Sequence, residues 1–259
     1  MNIAVCIKQV PEIALVRFDD KGTLILPDGP GSVNPFDDYA VEEAIRLKEK
    51  LGGTVIVLSC GGEGAVIGLR DALALGADRA VLLIDPAFDG SDGVAIGRIL
   101  AAGLAKLGDV QLCLFGKNAV DTDRSVVPAA TAGFLGWPQA LFVKKFESID
   151  TTQATVQRMT EDGFDRVAFA FPAVVSVVKE INEPRLPSLK GKIKAKSAPV
   201  EKWSASDIGI DPSQVGAHSS TRAIGVIAPP ARTGCEMLTG EPTVVAETLF
   251  ERLREAKVL

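Results

Sequence analysis

Four almost continuously apolar runs, at positions 3–7, 55–59 (closing on Ser59), 80–84 and 112–115, constrain this chain more than any other feature. A strand with one wet face alternates apolar and polar side chains, whereas a strand apolar on both faces must be covered on both. Between these runs lie helical patterns at 37–51, 64–75 and 94–107. Strands alternating with helices in this way pair in parallel through crossover connections, so the sequence predicts an α/β domain with a mostly parallel sheet and helices on both faces.

Later segments read differently. Residues 140–146, 154–159 and 167–171 are short and joined by polar turns, including Glu161-Asp162-Gly163, which predicts antiparallel pairs at one end of the sheet. Residues 16–26, turning at Asp19-Asp20-Lys21-Gly22, predict a short hairpin on the rim. After Lys196 the periodicity fades. Pro199, Pro212, Pro229, Pro230 and Pro242 punctuate a tail that closes with a helix at 243–256. The expected organisation is an α/β domain over 1–195 and an extended C-terminal arm over 196–259, wrapped over a partner or over the body.

Several classes of function lose support from composition. The longest apolar runs fall well short of the roughly 20 residues that cross a bilayer, and Met1 leads directly into a strand, so no membrane insertion and no cleaved leader are expected. Cys6, Cys60, Cys113 and Cys235 show no C-x-x-C pairing and read as reduced, mostly buried thiols of a cytoplasmic protein. A net charge of −5, with positive charge gathered on one arm, argues against a nucleic-acid binder. The single histidine, His218, has no cysteine or carboxylate at ligand spacing, which excludes a zinc site and a histidine triad and leaves His218 as a solvated loop residue. There is neither a G-x-x-x-x-G-K-[ST] run nor a G-x-G-x-x-G after the first strand. No catalytic residue and no metal site is expected.

What remains is a set of loops at strand ends, which in an open parallel sheet converge on a crevice at the carboxyl edge. Cys6-Ile7-Lys8 ends the first strand, Asn34-Pro35-Phe36-Asp37 precedes a helix, and Cys60-Gly61-Gly62 follows the second strand. The fourth strand is followed by Gly116, Lys117, Asn118, Ala119, Val120, Asp121, Thr122, Asp123, Arg124 and Ser125. These loops either cradle a ligand through glycine backbone and helix N-termini or are ordinary turns.

Residues 172–196 carry a second candidate surface. An apolar strand runs into a segment in which Pro184 and Pro187 lack amide donors and bias their neighbours to extended geometry, so residues 183–189 are expected to stand off the body as a rigid loop that does not fold at once into a helix. Leu186 and Leu189 sit there among Arg185, Lys190, Lys192, Lys194 and Lys196. This is either a protein-docking tip or a surface connector.

The chain resembles the electron transfer flavoprotein beta subunit family (FixA included) over essentially its whole length. The likeness rests on NPFDDYAVEEAIRLKE at 34–49, GADRAVLL at 76–83, TAGFLGWPQ at 131–139 and the arm at 172–196. It implies a Rossmann-like fold of the adenine nucleotide alpha hydrolase-like type. It also implies a non-enzymatic electron-transfer subunit, paired in a heterodimer with an alpha subunit that holds most of an FAD. The cofactor performs the redox chemistry and the protein sets its position, which accounts for the scarcity of catalytic groups. Loops matching Cys6, 34–37, Cys60 and 116–127, which adds Val126 and Val127, would enclose AMP, or a second FAD in bifurcating members. Phe36 and Ile13 would lie near the flavin. Leu186, Leu189 and Lys194 would grip an acyl-CoA or related dehydrogenase, and the electrons would pass to an acceptor such as a quinone oxidoreductase.

The chain departs from the family pattern at Val126-Val127-Pro128, where a glutamine and a glycine are usual, at Met159, where a glutamate commonly follows the arginine, and at Ile13, where many single-flavin members have a tyrosine. The start of the chain, DPAFDGSD at 85–92, VKEINEPRLPSLKG at 178–191 and DPSQVG at 211–216 resemble bifurcating members, whereas NPFDDYAVEEA and GFLGWPQ resemble the single-flavin group. An ATP-binding protein on a similar scaffold is the reading from another class. Its required phosphate loop is only loosely imitated by Cys60-Gly61-Gly62-Glu63-Gly64, whose glutamate would repel a triphosphate.

Overall fold

The computed structural model describes residues 1–259 apart from Asp20, Pro229 and residues 231–233. The core is a nine-stranded sheet. It contains β1 (Asn2–Cys6), β6 (Thr54–Cys60), β7 (Arg79–Leu83), β8 (Leu112–Gly116), β9 (Gln139–Ile149), β10 (Gln153–Thr160), β11 (Gly163–Ala170), β12 (Ala173–Val177) and β13 (Glu201–Trp203). Two small antiparallel ribbons lie outside it, β2 (Gln9–Val10) with β5 (Ser32–Val33), and β3 (Arg17–Phe18) with β4 (Leu24–Ile25). The second ribbon is the hairpin expected over 16–26, although Asp20 of its turn lies outside the described residues.

Strand order is β11-β10-β9-β12-β8-β1-β6-β7-β13, with antiparallel pairing confined to β9, β10 and β11 and every other pair parallel. The continuous apolar runs predicted this arrangement because the central strands are dry on both sides: Ile3, Val5, Val55, Val57, Leu112 and Leu114 pack into one core, and Ala4, Leu58, Val81, Leu83 and Cys113 into the other. Helices α1 (Pro35–Leu51) and α2 (Ala65–Leu75) cover the first face, and α3 (Gly93–Leu107) and α4 (Val126–Leu135) the second.

The helix ends follow their residues. In α1, Pro35 opens the first turn, Asp37 and Asp38 complement the positive N-terminus, Lys48 and Lys50 the negative C-terminus, and Gly52 at φ 73° ends it. Asp92 caps α3 by accepting the Val94 and Ala95 amides.

The sheet runs on past residue 195. Glu201–Trp203 pairs in parallel with β7, and Ala205, Ile208 and Val215 beyond it are buried in the second core. Side chains of Ser91 and Asp92 then hold the tail: Ser91 Oγ accepts the Gly216 amide and Asp92 accepts the amide and hydroxyl of Thr221. The last helix, α6 (Pro242–Glu255), has no buried residue and leaves Val244, Leu249 and Phe250 exposed. No helix of the described residues is long and apolar enough to cross a membrane.

Candidate functional site

The chain proceeds from β1 to β6 and β7 on one side, then places β8 on the other side of β1. Loops leaving the carboxyl ends of β1 and β8 therefore part, and a crevice opens between them. A cleft with about 860 Å³ of empty space, part of it open to solvent, lies there. Of the residues singled out from sequence, Cys6, Asn34, Asp37, Cys60 and Gly116 line it, as do Asn118, Ala119, Thr122, Arg124 and Val127 from the loop after β8 and the start of α4. Pro35, Phe36, Lys117, Val120, Asp121, Asp123, Ser125 and Val126 belong to the same loops but do not line the cleft. Phe36 instead stacks under Lys117, whose Nζ is 4.9 Å from the ring centre.

Buried polar groups fix the loops to one another. Asn34 donates to Asp37 Oδ1 at 3.0 Å and to the Asn118 carbonyl at 2.8 Å, and its own Oδ1 accepts the Val120 amide at 3.1 Å. Asp37 also accepts the Lys8 amide at 2.7 Å and the Gly116 amide at 3.2 Å. Lys8 Nζ grips both carboxylate oxygens of Asp121, at 2.8 and 2.6 Å. The start of α1 is thus joined to both strand ends. Burial drives the Asp37 carboxyl up to about 7, against the pull of its three hydrogen-bond donors. Gly116 is required at this junction, because a Cβ there would lie 2.4 Å from Asp37 Oδ1 and 2.6 Å from the Phe36 carbonyl carbon.

The rim has few free donors. Two α3 amides are taken by Asp92, and Pro128, third residue of α4, has no N–H. Arg124 is exposed at the cleft, and its guanidinium has no ion-pair or hydrogen-bond partner among the described residues. Asn118 donates to the Asp123 carboxylate, while its Oδ1 is buried without a partner. An anion held by Arg124 and a donor group facing Asn118 are what this cleft can accept chemically.

Its buried carboxyl, Asp37, is turned to structural use by three donors, and its thiols are not nucleophiles. The Cys6 thiol, 3.7 Å from Cys113 Sγ, is pushed up by burial and then by that contact. Burial, with a smaller contribution from Asp89, lifts Cys60 to about 12, so both stay protonated thiols. All four cysteines are free; Cys6 and Cys113 are buried, Cys60 half-buried and Cys235 exposed. His218 is exposed in the short turn Gly216–His218, away from the cleft lining. Glu63, in the loop compared with a phosphate cradle, is paired with Lys202 at 2.7 Å.

The sequence reading passed over one wall. Ser91, Gly93, Ile96 and Leu100, at and after the start of α3, also line the cleft. The signal was an acidic cap, Asp92, opening a helix after the third strand; that strand end lies on the same carboxyl edge as the others.

The arm departs from its expectation in two respects. A helix, α5 (Leu189–Ser197), starts two residues after Pro187, capped by Ser188 Oγ accepting the Gly191 amide at 3.0 Å. Proline restrains the residue before it, and here Pro187 only sets up the extended approach to the cap. Arg185 is also no free member of a cationic frame, since it pairs with Glu42 and Glu49. Leu186 and Leu189 are 91% and 76% exposed, and Lys194 is exposed.

Comparison with known proteins follows the same lines. The electron transfer flavoprotein domain family matches residues 23–208. The chain is 38% identical over 263 aligned residues, covering 100% of both chains, to the caffeyl-CoA reductase-Etf complex subunit CarD of Acetobacterium woodii. It is 37% identical over 263 residues, again 100% of both, to an electron transfer flavoprotein subunit beta of Thermoanaerobacterium thermosaccharolyticum. To protein FixA of Bradyrhizobium diazoefficiens it is 34% identical over 262 residues, 98% of this chain and 91% of the other.

Proposed function

This chain belongs to the electron transfer flavoprotein family, and we propose that it works as the beta subunit, a platform that orients a flavin carried mainly by an alpha-type partner. The observation that carries this reading is a cleft at the strand-order reversal, lined by neutral thiols, the unpaired Arg124 and an Asp37 carboxyl whose oxygens are already engaged by three donors. A flavin, when present, supplies the electron chemistry, and the polypeptide is left with position and access. The exposed apolar residues of α6 suit burial against that partner subunit.

The cleft itself fits an adenylate. Asn118 Oδ1 is placed to accept from a ribose hydroxyl or an adenine amino group, and Arg124 to hold a phosphate. AMP and the adenylate half of a second FAD share this chemistry. A relative named as part of a caffeyl-CoA reductase-Etf complex favours a CoA-linked partner oxidoreductase and keeps the bifurcating, two-flavin reading in play.

Purifying the native complex through a tag on this chain and extracting its nucleotides tests the proposal. One FAD and one AMP per heterodimer supports the single-flavin carrier, and two FAD without AMP the bifurcating one. A lone chain with no flavin-bearing companion refutes both.

Docking of an acyl-CoA or related dehydrogenase is assigned to Leu186, Leu189 and Lys194. A single deeply seated leucine with a loose surround permits fast exchange of partners. Leu189→Ala is expected to slow reduction of the heterodimer by an acyl-CoA dehydrogenase at least several-fold while leaving the flavin spectrum intact. Equal stopped-flow rates for variant and parent would remove the arm from docking.

A further inference from the structure

The arm has little backbone structure of its own between residues 182 and 188, yet side chains fasten it along one flank of α1. Asn182 Nδ2 donates to the Tyr39 carbonyl and to Glu43, each at 3.0 Å. The Glu183 carbonyl accepts from Arg46 at 3.0 Å. Arg185 carries the largest share: its amide and Nε donate to Glu42 Oε2 at 3.2 and 2.8 Å, and Nη2 reaches Glu42 Oε1 at 3.2 Å. Nη1 and Nη2 also reach the two oxygens of Glu49, at 2.6 and 3.0 Å.

We propose that Arg185, locked between Glu42 and Glu49 of α1, is the positioning residue of the docking arm, holding the Leu186 to Leu189 tip ready before a partner arrives. The inference rests on the docking role assigned above.

Glu42 is the fixed point. Its side chain is 3% exposed, so it has lost almost all contact with water and depends on Arg46 and Arg185 for its charge. Glu49 is over half exposed and steers the far edge of the guanidinium. A planar fork bonded on two edges has one orientation, which a lysine ammonium would not reproduce. One residue beyond this lock, Leu186 stands almost wholly in solvent. The other end is also fixed: Arg70 Nη1 donates to the carbonyls of Ala195 and Lys196, and Gly191 lies so close to the Ala74 carbonyl of α2 that a Cβ would fall 2.2 Å from it. A tip fastened on both sides is already ordered when a partner binds, so binding does not bear the cost of ordering it.

The test uses the intact heterodimer and two readouts. Limited trypsin digestion reports the clamp, because cleavage after Arg185 needs its side chain free to enter the protease. Steady-state reduction by an acyl-CoA dehydrogenase reports docking. Glu49→Gln keeps Arg185 and the buried pair, and Arg185→Lys keeps the charge without the fork. Glu49→Gln is expected to speed cleavage at the 185–186 bond at least fivefold. Both variants are expected to raise the KM for the heterodimer at least threefold with kcat unchanged.

Unchanged cleavage in Glu49→Gln overturns the inference. So does faster cleavage with parental KM, and Leu189→Ala then separates the two claims. A raised KM in Leu189→Ala alone leaves the docking role standing without the clamp, whereas a parental KM there removes the docking role as well. Parental KM in Arg185→Lys also overturns the inference, since a positive charge alone would then suffice.

Discussion

Replacing Asp37 by asparagine probes the junction at the heart of the cleft. In the folded chain burial raises this carboxyl from 3.8 to about 7, despite hydrogen bonds from Lys8, Asn34 and Gly116. Between those two values the folded chain keeps a proton that the unfolded chain releases, so this group makes stability fall as pH rises through the window and level off above about 7. By linkage, its contribution is about 2 kcal/mol larger at about pH 5 than at about pH 7. The amide of the Asp37→Asn variant does not titrate, so that slope disappears. This amide must also turn one NH2 toward an existing donor, which costs about 1–3 kcal/mol at neutral pH. Asp38, raised to about 6 by burial and then by Asp71, adds a slope of the same sign in both proteins. Urea unfolding of parent and Asp37→Asn across this range should show the stability gap widening by about 2 kcal/mol toward the acid end. Parallel curves would show that Asp37 is ionised throughout, and that its three donors outweigh its burial.

Gly116→Ala drives a Cβ into the Phe36 backbone and the Asp37 carboxylate, neither free to retreat, and should cost about 1–3 kcal/mol, read as a fall in Tm. Arg124→Gln should weaken AMP binding by about tenfold, or about 1.4 kcal/mol, in calorimetric titration of the nucleotide-free heterodimer; unchanged affinity would take the phosphate away from this side chain. Asp92→Ala removes the α3 cap together with the Thr221 contacts, so it should cost about 0.5–2 kcal/mol and speed proteolysis near residue 221.

The parallel sheet was legible because it follows from local chemistry: dry strands must be covered on both faces, and the runs at 3–7, 55–59, 80–84 and 112–115 say so without tertiary information. The cleft was legible at the strand ends for the same reason, since Cys6, Asn34, Asp37 and Gly116 sit where a carboxyl edge must bring them. Side-chain direction was not. Lys117 and Phe36 are in the right segments but turn to each other, and no pattern in a single sequence fixes that choice. Nor could it show that Glu42 and Glu49, on a helix far earlier in the chain, would claim Arg185 from a cluster of arm cations. The short β13 was hidden because three residues carry no periodicity. Its place comes from the free edge of β7, a tertiary fact.

β12 fills the gap between β8 and β9, although β9, β10 and β11 all precede it in the chain. During synthesis, the side of Leu112–Gly116 that faces away from β1 has no neighbour until Ala173–Val177 emerges from the ribosome. Until then the nascent sheet carries an open, greasy seam through its middle, with the three-stranded antiparallel wing waiting to be hinged on. A chain truncated before about residue 177 should therefore be a client for holding chaperones and prone to clump, whereas a released chain ending just after it has every central strand to close the seam.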